Sequence, residues 1–65
     1  MQIVLNGNVH QTDAQTLSEL VVELGLVGKR IAIELDQQLI PKSRHASTVL
    51  HDGVRLEIVH AVGGG

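Results

Sequence analysis

Cysteine is absent from this chain, as are Phe, Tyr and Trp. Without cysteine there is no disulfide staple, no thiolate nucleophile and no Cys-based metal site, and cysteine usage leaves the redox compartment open. Without Phe, Tyr or Trp the core must be built from Leu, Ile and Val, and the large aromatic platforms on which bases stack are missing. Basic residues are few as well: five Lys and Arg stand against seven Asp and Glu, for a formal charge of -2. That balance lacks the basic footprint of a nucleic-acid binder, so no nucleic-acid partner is expected. No apolar run exceeds three residues and the N-terminus Met1-Gln2-Ile3-Val4-Leu5 has no basic region. Neither a membrane span nor a signal peptide is read here, and the cytoplasm is the expected compartment.

At 65 residues the chain has room for one domain. Domains of this size bury only about 60% of the surface their unfolded chains expose. One modest core is affordable, but not a deep substrate cleft of several hundred Å³ beside it, which disfavours an independent enzyme. The apolar fraction of 43% is nevertheless that of a folded domain.

Turn and periodicity signals divide the chain cleanly. Ile3 and Leu5 alternate with polar neighbours up to Asn6-Gly7, a pair suited to positive φ at both centres of a type I′ turn, so residues 2–6 and 8–12 read as a hairpin. Thr16-Leu17-Ser18-Glu19 is a capping box that predicts a helix from Leu17. Leu17, Leu20, Val21 and Leu24 then recur at i, i+3, i+4 and i+7, and Gly25 offers the left-handed residue that ends a helix. Glu19 and Glu23 fall on the opposite face, where paired carboxylates are ordinarily solvated, and they receive no acid–base role.

Ile31, Ile33 and Leu35 alternate as a half-buried strand, and Asp36-Gln37-Gln38 turns into a brief strand at Leu39-Ile40 that Pro41 stops. Residues 42–50 have no period and read as an irregular crossing. After the turn His51-Asp52-Gly53, the residues Val54, Leu56 and Ile58 alternate with Arg55 and Glu57. The order β-β-α-β-β-β predicts an α+β domain over residues 1–62. It would be a mixed sheet of four to five strands packed on one amphipathic helix.

The chain finishes Gly63-Gly64-Gly65. A terminal glycine run can be a frayed end or an added scar. It can equally be a flexible tail, residues 63–65, slim enough to enter a narrow site on another protein where any Cβ would clash. From Val62 to Gly65 such a tail reaches roughly 13 Å, far enough to carry a carboxylate into a partner's active site. A carboxylate must first be given a good leaving group, as in an acyl-adenylate, and this chain has no phosphate-cradling glycine motif of its own, so ATP would come with a partner. If Val54, Leu56 and Ile58 face the core, Val59 and Ala61 point outward beside Val62 and form a candidate docking patch, unless a bulge near Val59 resets the phase.

Other chemistries are weakly supported. His10, His45, His51 and His60 show no H-x-x-x-H spacing and have no Cys companion, so no metal site is assigned. Ser43, Ser47, His45, His51 and Asp52 hold the ingredients of a triad but lack a nucleophile elbow.

With these pieces in place the whole chain resembles the ThiS family, the sulfur carriers of thiamine biosynthesis, which have a ubiquitin-like β-grasp fold. The resemblance rests on Met1-Gln2-Ile3 with Asn6-Gly7, on Ile31-Ala32-Ile33-Glu34 followed by Leu39-Ile40-Pro41, and on Asp52-Gly53 leading through Glu57-Ile58-Val59 to Gly64-Gly65. It implies that an E1-like adenylating enzyme uses Mg-ATP to activate the Gly65 carboxylate, the chain itself holding no cofactor. Sulfur from cysteine, delivered through a cysteine desulfurase, would then replace AMP, and the terminal thiocarboxylate would donate sulfur to thiazole synthase. On this reading the chain is a carrier and co-substrate rather than an enzyme, and it needs no cysteine. Two alternatives remain open in the sequence: the related small subunit of molybdopterin synthase, and a β-grasp interaction module whose glycines are only a linker.

Overall fold

The structure is a computed structural model that describes residues 1–61. The proposed boundary between a domain of residues 1–62 and a tail of residues 63–65 lies outside the described residues. Five strands and one α-helix run in the order β1 (Gln2–Leu5), β2 (Asn8–Gln11), α1 (Leu17–Glu23), β3 (Ile31–Leu35), β4 (Gln38–Ile40), a 3-10 helix (Lys42–Ser47) and β5 (Arg55–His60). The strands form one mixed sheet in the order β2-β1-β5-β3-β4. Only β1 and β5 are parallel, and every other neighbouring pair is antiparallel.

Local chemistry accounts for the boundaries. Asn6 at φ +49° and Gly7 at φ +82° make the two-residue turn between β1 and β2, as expected of the Asn-Gly pair. Asp36 at +48° and Gln37 at +72° repeat that geometry between β3 and β4 without a glycine. The capping box forms in full: the Thr16 side chain accepts from the Glu19 amide, and the Glu19 carboxylate accepts from the amides of Thr16 and Gln15 at 3.1 and 2.7 Å. At the other end Gly25 lies at φ +72°, its amide donates to the Val22 carbonyl and the Leu26 amide to that of Val21. This is the paired bonding of a Schellman cap.

The core fills the space between α1 and one face of the sheet. Ile3, Leu17, Leu20, Ile33, Leu50, Val54, Leu56 and Ile58 are buried in it, and Val21, Leu24, Ile31 and Leu35 pack around its margin. Burial of such aliphatic side chains, at about 1.5–3 kcal/mol each, is the main force holding the two layers together. The residues 42–50 that showed no period prove partly regular, because Lys42–Ser47 wind into the 3-10 helix. Pro41, at φ -65°, leads the chain into it, and three residues per turn leaves no 3.6-residue apolar stripe to detect. The remainder of that segment is tied to the start of α1 by the Leu17 amide on the Thr48 carbonyl and the Leu50 amide on the Gln15 carbonyl.

Candidate functional site

Gly65, expected to carry the reacting carboxylate, the tail residues Gly63 and Gly64 and the docking candidate Val62 all lie outside the described residues. What the structure places is the platform from which that segment departs. β5 runs through the middle of the sheet, parallel to β1 on one side and antiparallel to β3 on the other. Its pairing with β3 continues without interruption from Leu56 opposite Leu35 to His60 opposite Ile31. Beyond β5 the Ala61 amide still donates to the Arg30 carbonyl at 2.9 Å. Bonds to both neighbouring strands therefore hold β5, and the Arg30 carbonyl holds the chain as far as Ala61.

The unbroken register rules out a bulge near Val59. Val54, Leu56 and Ile58 are buried while Val59 is 55% exposed, as a strict period of two requires. Val59 lies opposite Ala32, and Ala61 is exposed one residue beyond the strand. The same outer face carries exposed Val9, Leu39, Arg55, Glu34 and Glu57. Glu34 and Glu57 are directly paired across β3 and β5, a like-charge juxtaposition that costs stability rather than adding to it.

Asn6 contributes more than a turn. Its amide group bonds both backbone groups of Ile58: Oδ1 accepts from the Ile58 amide at 2.8 Å and Nδ2 donates to the Ile58 carbonyl at 3.2 Å. A side chain thus extends the parallel ladder past the end of β1 and grips β5 three residues before Ala61. Nothing in the local sequence pattern distinguishes this role from the ordinary preference of Asn-Gly for a turn, since the partners are 52 residues apart. Asn6→Gly keeps the φ of +49° accessible and removes the two bonds, while also giving the unfolded chain the extra freedom of a glycine. It is expected to destabilise the fold by about 1–3 kcal/mol. A lowered urea midpoint with an unchanged denaturant slope would show this, and an unshifted midpoint would mean that the bonds add nothing.

The remaining polar candidates do not assemble into a reaction centre. His45 is buried, and its Nε2 donates to the Ile40 carbonyl at 3.1 Å. Ser47 Oγ donates to the Arg44 carbonyl, and Asp52 Oδ1 accepts from the Gln2 amide at 2.8 Å. Each therefore holds a backbone group, and they form no triad. Glu23 differs from the solvated carboxylate expected of its helix face. Its Oε1 accepts from the Thr12 hydroxyl at 2.6 Å and its Oε2 meets His10 Nε2 at 3.0 Å. The Thr12 hydroxyl first, and then the His10 ring, hold the Glu23 carboxyl below its ordinary range. This contact fastens α1 to the end of β2. Among the described residues no group of three or more His, Cys, Asp or Glu could hold a metal, and no helix is long and apolar enough to cross a membrane.

The sequence model of the ThiS family matches residues 3–65 of the chain. The chain belongs to the ThiS family. Among similar proteins is the sulfur carrier protein ThiS of Escherichia coli strain K12, 30% identical over 66 aligned residues that span all of both chains. The chain is also 38% identical to part of a thiazole synthase from Paramagnetospirillum magneticum and 33% identical to part of one from Magnetococcus marinus. In both cases the whole chain aligns, but it spans only 20% of the length of the larger protein. Among solved structures, the crystal structure of the thiamine biosynthesis protein ThiS from Geobacter metallireducens superposes with a TM-score of 0.86 at 23% identity, over all of both chains. The solution structure of a thiamine biosynthesis protein from the same organism gives 0.80, covering all of this chain and 88% of the other. At that identity the structural likeness speaks for the fold, a ThiS-type β-grasp domain of five strands and one helix.

Proposed function

We propose that this ThiS-family chain carries sulfur for the synthesis of the thiazole of thiamine, with the carboxylate of Gly65 as the group that is modified. The observation that carries this reading is the family match over residues 3–65, seconded by whole-length similarity to a protein known as a sulfur carrier. The thiazole synthases that contain a segment like this chain favour thiazole synthase as acceptor over the molybdopterin pathway.

In the proposed cycle the Gly65 carboxylate oxygen attacks the α-phosphorus of Mg-ATP on an E1-like adenylating enzyme, and pyrophosphate leaves. A sulfur nucleophile, supplied from cysteine by a desulfurase, attacks the acyl carbon and AMP leaves with the bonding electron pair. With the donor's persulfide as that nucleophile the product is an acyl disulfide; a thiol attacks its donor-side sulfur, becomes a disulfide with the donor and releases the terminal thiocarboxylate, whose sulfur passes to thiazole synthase. The chain is a co-substrate of these enzymes, presumes no cofactor of its own and works in the cytoplasm. Gly63 and Gly64, having no Cβ, let the acyl end pass through a channel too narrow for side chains.

The test is to incubate the chain with the adenylating enzyme, ATP and the sulfur donor and to weigh the intact protein. One sulfur-for-oxygen exchange, located on the C-terminal peptide, is the expected result. An unchanged mass with active enzymes would reject the carrier role.

Docking of the adenylating enzyme is assigned to the outer sheet face at Val59 and Ala61, with Val62 as the next residue of the chain. Val59→Asp is expected to weaken that binding about tenfold, measured by calorimetry, because it sets a charge into an apolar contact. The isolated domain should melt within a few degrees of the native one, since Val59 is already 55% exposed. Unchanged binding would remove the patch from the interface.

A further inference from the structure

On the opposite layer from the outer sheet face lies a groove of about 260 Å³ between α1, the loop that follows it and the 3-10 helix. Val22, Leu26, Val27 and Ile31 supply apolar walls, and buried His45 also lines it. Val22 and Val27 are 64% and 66% exposed, so the apolar surface continues from the groove onto its rim. Lys29 and Lys42 line the groove from the loop after α1 and from the 3-10 helix, and no carboxylate among the described residues lines it. Both lysines are exposed, and neither pairs with a carboxylate among the described residues.

The carboxylates of α1 are turned to other work. Glu19 accepts the amides of Gln15 and Thr16, and Glu23 is held by Thr12 and His10. A chain of net charge -2 thus keeps a cationic, apolar groove free of its own acids. The groove is smaller than the 300–1,000 Å³ or so of small-molecule sites, and its apolar rim extends past what such a ligand would cover. An apolar side chain in the groove with flanking carboxylates on the two lysines satisfies both features, whereas a simple anion leaves the valines wet.

We infer that this groove is a second docking site, which takes an acidic-apolar peptide segment of a protein partner. None of residues 59–61 lines the site, which goes beyond the sulfur-carrier reading; either can fail without the other. It gives the domain two faces, so that a partner held here leaves the outer sheet face uncovered.

The probe is the peptide acetyl-Asp-Leu-Leu-Glu-amide, titrated into the full-length ¹⁵N-labelled chain and followed by amide chemical shifts. Shifts confined to the loop after α1 and to the 3-10 helix, saturating with a Kd of about 1 mM, are expected for one such short segment. The double variant Lys29→Glu, Lys42→Glu should bind about tenfold more weakly, and 0.5 M salt, roughly, should weaken the native complex as well. Because both lysines are exposed, the variant should melt with the native chain, and Lys29→Ala with Lys42→Ala gives the same reading without reversed charge. Equal shifts from acetyl-Lys-Leu-Leu-Lys-amide would overturn the charge requirement. Equal shifts from inorganic phosphate would reduce the groove to an anion site and overturn the peptide. Response to phosphatidylglycerol vesicles but not to the peptide would overturn it in favour of a lipid surface, and shifts centred on the outer sheet face would overturn it outright.

Discussion

Leu20→Ala is expected to cost about 2–5 kcal/mol, the range for truncating a buried leucine. A domain this small has little more than that in total, so the variant should be largely unfolded at room temperature. Leu20 is 0% exposed in the centre of the core. Leu24, which shares its stripe, is only partly buried at the C-cap, against the core margin. Leu24→Ala should therefore cost less than Leu20→Ala, with a measurable cooperative transition remaining. Thermal melts followed by far-ultraviolet circular dichroism separate the two. Equal losses would mean that the end of α1 is packed as tightly as its centre, and no loss at Leu20 would contradict the register of the helix.

That register was legible because it depends on neighbours in sequence. Thr16 and Glu19 satisfy each other's backbone within one turn, and Asn6-Gly7 carries its own positive φ, so both boundaries follow from four or fewer residues. Alternation likewise revealed which of Val54 to Val59 face inward, although only the continuous pairing with β3 eliminates a bulge. The order of strands was less accessible. That β5 enters between β1 and β3 depends on pairings between residues 21 to 51 apart, such as Leu56 with Leu35 and with Leu5. The bonds from Asn6 to Ile58 and from His45 to the Ile40 carbonyl escape sequence reading for a related reason: a polar side chain does not announce a backbone partner. The lysine-lined groove is likewise assembled from segments that show no common motif.

The tail prediction follows from the chemistry of the chain end. Adding one alanine after Gly65 moves the carboxylate about 3.3–3.6 Å from where ATP would meet it. A misplacement of about 1 Å can already cost on the order of a hundredfold in rate, so the extended chain should show at least that loss in ATP–pyrophosphate exchange with the adenylating enzyme. Gly64→Ala should also slow exchange, because a Cβ narrows the conformations open to the tail and widens its cross-section. The buried core is assembled between Ile3 and Ile58, so the native chain, the extended chain and Gly64→Ala should share one melting temperature. Binding to the outer sheet face at Val59 should survive in all three, which separates failure to dock from failure to react. Full exchange with the extended chain would refute activation at the Gly65 carboxylate. Different melting temperatures would assign the glycines to the fold instead of the reaction.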